Sequence, residues 1–306
     1  MAFEEVLQEA QRKRIRVLVA GGLFNAPPGH NMHAEAQYAL SLMDDGYMPI
    51  LPATITDSLH SRFPQPVEAL VGYQVSLLAL TDVVLLRGAP SIMREVLART
   101  AARHGIPVLQ DLEELRESHP SHNPSVGVQF TIGSDWWEGP DARELTADEF
   151  QKVEEFEELA ARVMAAKLAP GYVLGPYSRD GSLGTYAAMA LGTLLLGRVA
   201  PFIPHHSHQI DMILRQDYHT WLAIDGTFLD RCDWAARIPG PSSGADDEQK
   251  VLEEEFGVTV ETELSTFLDS LPKNNLFPVD TELALRGLER YIARVSGDPK
   301  VWPPRL

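Results

Sequence analysis

The chain repeats itself, and the repeat limits the folds open to it. The segments IRVLVAGGLFN, DDGYMPILP, LALTDVVLLRGAPSIMREV and ARHGIPVL return, altered, as GYVLGPYSRDG, LLGRVAPFIP, FLDRCDWAARIPGPSSGADDE and EEFGVTV. Gly46 to Asp82 and Gly197 to Asp233 both span 36 positions. Asp82 to Gly105 spans 23 and Asp233 to Gly257 spans 24, with Glu95 and Glu248 ten and nine residues before those last glycines. Spacing kept at three places in series points to a duplicated unit, so that 306 residues hold two similar domains.

Each unit alternates short apolar runs with helical patterns. The runs are RVLVA, YMPIL, DVVLL and PVLQ in the first unit, and YVLG, VAPFI, WAARI and VTVE in the second. NMHAEAQYALSLMDD and REVLARTAARHG have helical spacing and stop at Gly46 and Gly105, as helices often do. Short apolar strands separated by helices predict parallel sheets covered on both faces. The predicted fold class is α/β, with two Rossmann-like (flavodoxin-like) parallel-sheet units in tandem forming a pseudo-dimer. The first unit is placed at 1–118 and the second at 169–306, ending in a helix over DTELALRGLERYIARV. Residues 119–168 form a linker and an acidic helix. The linker is rich in Pro, Gly and Ser, and Trp136 and Trp137 within it are expected to be buried between the units. The helix starts at Thr146, a candidate N-cap with Glu149 three residues on.

Composition removes several classes of partner. A formal charge of −17 repels phosphate backbones and anionic membranes, so neither a nucleic-acid polymer nor a membrane is expected, whereas a small ligand is. SLGTYAAMALGTLLLG is too short to span a bilayer and reads as a buried helix. The opening MAFEEVLQEAQRKR lacks the apolar core of a signal peptide, which makes a soluble cytoplasmic protein the expectation. Cys232, the single cysteine, reads as a small buried hydrophobe. The run His205-His206-Ser207-His208 has no acid at a ligand spacing, so no metal is expected, and the run is assigned instead to a base pocket or surface loop, with His205 the candidate substrate contact. Gly21-Gly22 falls short of a dinucleotide fingerprint, and no cofactor is expected.

Ligands of such sheets bind off the carboxyl ends of the strands. Three pieces of the second unit converge there: Tyr172 to Arg179 across a glycine turn, Trp221 to Asp225, and Ser242-Ser243-Gly244-Ala245-Asp246-Asp247-Glu248 opening a helix. Backbone N–H groups at a helix start, with serine hydroxyls beside them, suit a phosphate or a sugar hydroxyl.

Tyr-x-x-Gly-Pro, then Trp-x-x-x-Asp-x-x-x-Leu-x-x-Cys-Asp, then Pro-Gly-x-x-Ser-x-Gly-Ala-x-x-Glu, between Gly171 and Glu261, resembles the nucleoside 2-deoxyribosyltransferase superfamily. That superfamily includes nucleoside 5′-monophosphate N-glycosidases. The resemblance implies a Rossmann-like fold that cleaves N-glycosidic bonds. Glu248 matches the glutamate that attacks or stabilises the anomeric carbon, Asp225 the acid that assists the leaving base, and Tyr172 the tyrosine that orients the glutamate. Gly175, Pro176, Arg179, Gly244 and either Ser242 or Ser243 would hold the 5′ end, with Trp221 and His205 lining the substrate pocket. The chain is slightly shorter than the family pattern between Gly240 and Gly244, which leaves both serines as candidates. Two carboxyl groups are what glycosidic cleavage ordinarily requires.

The leading expectation is hydrolysis of a nucleoside 5′-monophosphate to free base and (deoxy)ribose 5-phosphate. Transfer of the deoxyribosyl group to another base, NAD glycohydrolysis and non-catalytic nucleotide sensing are the alternatives. The first unit reads as degenerate: Gln74 stands where the second has Asp225, no tyrosine matches Tyr172, and Glu95 remains. It is expected to complete the pocket from within the chain, and further self-association of the fused pair stays open.

Overall fold

The computed structural model describes residues 2–21, 35, 38–123, 125, 144–176, 183–206 and 218–296. The first half holds strands β1 (Arg16–Ala20), β2 (Met48–Ile50), β3 (Val83–Leu86) and β4 (Val108–Leu109), in the order β2-β1-β3-β4. The second holds β5 (Pro170–Leu174), β6 (Ala200–Phe202), β7 (Trp234–Arg237) and β8 (Val260–Glu261), in the order β6-β5-β7-β8. Every pairing is parallel, and corresponding registers match: Val17 faces Val83 as Gly171 faces Trp234. The chain is therefore α/β with two tandem parallel sheets of one topology, the flavodoxin-like order. Each apolar run read from the sequence lies on one of these strands. The central ones are buried throughout, as with β1 and β3, because helices cover both faces.

The helices, in chain order, are α1 (Ala2–Gln11), α2 (Pro52–Arg62), α3 (Val67–Ser76), α4 (Ile92–Arg103), α5 (Leu112–Ser118), α6 (Ala147–Ala166), α7 (Leu183–Leu195), α8 (Tyr218–Gly226), α9 (Ser243–Glu255), α10 (Leu264–Ser270) and α11 (Glu282–Ser296). Residues 38–44 are helical as well. Gly46 and Gly197, the paired glycines of the repeat, both adopt the left-handed backbone (φ 83° and 70°) that ends a helix without a Cβ penalty. The apolar helix read at SLGTYAAMALGTLLLG is α7, buried along nearly its whole length. Sequence periodicity did not reveal α2 and α3. Pro52–Thr56 and Ala69–Ser76 are buried on every side, so no polar face marks a helical period.

The two halves exchange their leading helices. α6 precedes β5 in the chain but packs on α3 and α4 of the first half. α1 precedes β1 but packs on α8 and α9 of the second. The contacts are reciprocal in kind. The Arg99 guanidinium lies 6.0 Å from the Phe150 ring, and in the second half Lys250 of α9 has its Nζ 4.1 Å from the Phe3 ring. Arg99 and Arg103 also donate to the Glu157 carboxylate at 3.3 and 2.8 Å. The start of α6 is fixed by the capping box foreseen in the sequence: Thr146 Oγ1 accepts from Glu149 N, and Glu149 accepts from Thr146 N at 2.9 Å. The segment read as a linker helix is thus part of the wall of the first half, while Trp136 and Trp137 lie outside the described residues.

One buried apolar cluster runs through both halves, taking in Leu18, Val84 and Phe156 together with Tyr172, Leu191 and Ala235. Below it, at the amino ends of the strands, a buried arginine joins the halves. Arg16 NH2 donates to Thr227 O at 2.7 Å and to Asp230, while NH1 reaches Asp82 at 3.5 Å. Asp82 also accepts from Arg16 N and from Arg231, so strand start and seam share one carboxylate. Removing one member of a buried ion pair leaves its partner uncompensated. Arg16→Met is expected to cost about 3–5 kcal/mol in urea unfolding, with both halves melting in one transition. Two separate transitions would contradict a shared seam.

Candidate functional site

Tyr172, in the middle of β5, is fully buried, its ring 5.6 Å from that of Phe202, which stacks on Phe228 at 4.0 Å. Its hydroxyl donates to Glu248 Oε1 at 2.9 Å. Glu248 stands on α9. That helix begins where the sequence placed it because Ser242 is its N-cap, the hydroxyl accepting from Ala245 N at 3.3 Å. Ser243 is exposed and Gly244 half-buried in the first turn. Arg237, at the end of β7, donates to Gln249 at 2.7 Å and pairs with Asp246, which brings a positive charge beside the glutamate.

Asp225 lies in the last turn of α8 and is buried, and its Oδ1 has no hydrogen-bond partner among the described residues. Trp221, one turn earlier, is buried with it. Both line a narrow cavity of about 60 Å³ at the seam. Phe202, Phe228 and His206 complete its wall from the second half, and Met43, Ile50 and Ile55 from the first. Buried polar atoms are normally paired, so an orphaned carboxyl oxygen on a residue that lines a cavity marks a place where a ligand group fits.

Burial pushes the Glu248 carboxyl up to about 7, opposed by the Tyr172 hydrogen bond and the Arg237 charge. Burial, and next the charge of Glu248, raise Asp225 well above the usual carboxylate range. Burial raises the Tyr172 hydroxyl too, followed by the Glu248 and Asp225 charges, so it stays a proton donor. Both carboxyls are thus pushed upward, and the pair keeps a proton to higher pH than free carboxyl groups do.

The remaining candidates fall around this trio. A Cβ on Gly175 would stand 3.4 Å from His205 Nε2 and 3.3 Å from Ile238 Cβ, so His205 is buried directly against the glycine turn. Pro176 adjoins the α9 loop: a Cβ on Gly240 would lie 3.0 Å from Pro176 Cγ. Tyr291 of α11 ties that loop down, its hydroxyl donating to Pro239 O at 2.8 Å. Arg179, Ser207 and His208 lie outside the described residues, as do Gly22 and most of GGLFNAPPGHNMH. Sequence reasoning placed His206 in a run assigned to a base pocket or surface loop, but missed Arg237, Ser58 and the contact between Ser58 and His206. Ser58 gave no signal, being one serine in a helix without a polar face.

The corresponding groups of the first half are occupied with one another. Gln74 Nε2 donates to Thr56 Oγ1 at 2.9 Å, and Glu95 pairs with Arg94 at 3.1 Å and Arg99 at 3.8 Å. Among the described residues no group of three or more His, Cys, Asp or Glu forms a metal site, and no helix is long and apolar enough to cross a membrane. No family model matches the chain, and neither a curated protein nor a solved structure matches it.

Because burial raises Glu248 from its ordinary 4.5 to about 7, the folded state binds this proton more tightly than the unfolded chain does. Stability therefore falls as pH rises from 4.5 to about 7 and stays lowered above it. Glu248→Gln removes that cost while keeping an acceptor for Tyr172. The variant is expected to be more stable than the wild type at pH 8, by about 1–3 kcal/mol, and equal to it at pH 4. Urea unfolding at the two pH values measures the difference, and a gain of the same size at both would contradict it.

Proposed function

We propose that the protein is an N-glycosidase that hydrolyses a nucleoside 5′-monophosphate. The observation that carries this reading is the buried trio of Tyr172, Glu248 and Asp225, two carboxyl groups and a tyrosine hydroxyl, with Asp225 lining a cavity. The motif resemblance to the nucleoside 2-deoxyribosyltransferase superfamily supports it.

The chemistry follows from those groups. The Glu248 carboxylate attacks C1′ as the bond from C1′ to the base nitrogen breaks, and the bond pair leaves with the base. Asp225, protonated, donates its proton to the departing base. Water then attacks C1′, gives a proton to Asp225, and releases Glu248 and the sugar 5-phosphate. Tyr172 keeps one carboxylate oxygen occupied, which fixes the direction of the other. The Gly175-Pro176 turn adjoins the loop that leads into α9, and the backbone N–H groups of Ser243 and Gly244 at the start of that helix are the natural seat for the 5′-phosphate.

Incubation with each common ribo- and deoxyribonucleoside 5′-monophosphate, followed by chromatography for free base, tests the reading. Glu248→Gln is expected to lower release by about 10³-fold or more and Asp225→Asn by about 10²-fold. Release by the wild type only when a second base is supplied would favour transfer over hydrolysis. No release under either condition, with nucleotide still bound, would favour a sensor.

A further inference from the structure

The cavity beside Asp225 has a second buried polar atom that the mechanism does not use. His206 lines it, almost wholly buried, on the short turn Pro204–His206 after β6. Its Nδ1 lies 3.0 Å from Ser58 Oγ, on α2 of the opposite half. Its Nε2 has no hydrogen-bond partner among the described residues. Ser58 is itself fully buried, with its hydroxyl directed to Met189 Sδ at 3.6 Å. Donating there, the serine oxygen accepts from Nδ1–H, and Nε2 keeps its lone pair. Apart from Asp225 and the Trp221 indole, the rest of the lining, from Met43, Ile50 and Ile55 to Phe202 and Phe228, is apolar in its side chains.

We infer that His206, set by Ser58 across the seam, accepts a hydrogen bond from an N–H on the edge of the leaving base and so decides which bases the site takes. The assignment of the cavity to the base rests on the glycosidase reading. The ligand it selects is a flat heterocycle with an imino or amino N–H on its buried edge. The imidazole remains uncharged, because burial, then His205 and Arg62, hold it down at about 3, so it accepts rather than donates at Nε2. A base without that N–H would leave the ring nitrogen buried and unpaired, a penalty that falls on the wrong ligand alone. The same contact gives the first half a share in a site whose carboxyls all come from the second.

Calorimetric titration with paired bases tests this directly, each capped by methyl where the sugar would be attached. The pairs are 1-methylthymine against 1,3-dimethylthymine, and 9-methyladenine against its N6,N6-dimethyl derivative. At least one parent base is expected to bind the wild type about tenfold or more tightly than its N-methylated twin. In His206→Phe that ratio is expected to collapse toward one, and in Ser58→Ala to fall partway. His206→Asn, which keeps a polar group, covers the case in which the phenylalanine variant does not fold. A ratio that survives in His206→Phe, equal weakening of both twins, or no binding of any parent base would overturn the inference. Base release with an unchanged ratio would leave the glycosidase standing without it. Base binding through His206 without release would do the reverse.

Discussion

A parallel sheet of four strands has two apolar faces to cover, and in this chain part of the cover is exchanged. α6 closes the wall formed by α3 and α4, and α1 closes the wall formed by α8 and α9, each from the other side of the repeat. Neither sheet is complete on its own stretch of sequence. The seam is therefore the inside of the molecule: one apolar cluster crosses it, and the Arg16 guanidinium with Asp82 and Asp230 closes it at the amino ends of the strands. Everything proposed about the site depends on this, because the cavity beside Asp225 has walls from both halves.

The duplicated sheets have diverged in how their polar groups are used. In the first half Gln74 and Thr56 satisfy each other, and Glu95 is held by two arginines. In the second, Asp225 has a carboxyl oxygen without a partner among the described residues, and Glu248 accepts from the Tyr172 hydroxyl. A satisfied network adds rigidity, and an unsatisfied one is tolerated where a ligand completes it. The asymmetry agrees with a division in which one half carries chemistry and the other supplies shape.

Much of the fold was legible because local pattern and burial agree. The strands read as uninterrupted apolar runs, the glycines at 46 and 105 read as stops, and Thr146 with Glu149 read as a start. α2 and α3 were not legible, since helices buried on all sides lose the polar face that shows a period. The exchange of α1 and α6 was not legible either: an amphipathic helix states that it needs an apolar partner but not which one. At the site, Tyr172, Asp225 and Glu248 were named from motif resemblance, and their burial and the bond between Tyr172 and Glu248 came from the fold. Ser58 and His206 meet only because two distant segments do, and no spacing in the chain announces such a pair.

The exchange also has a consequence for the order in which the chain is made. α1 is synthesised long before α8 and α9, the helices it rests on, and so waits through the making of the whole first sheet. That sheet in turn emerges before α6, which finishes its wall. Apolar surface on α1, α3 and α4 stays uncovered during that interval, the state in which growing chains associate wrongly. Two nascent copies side by side at that stage carry the same vacant wall and the same unplaced helix.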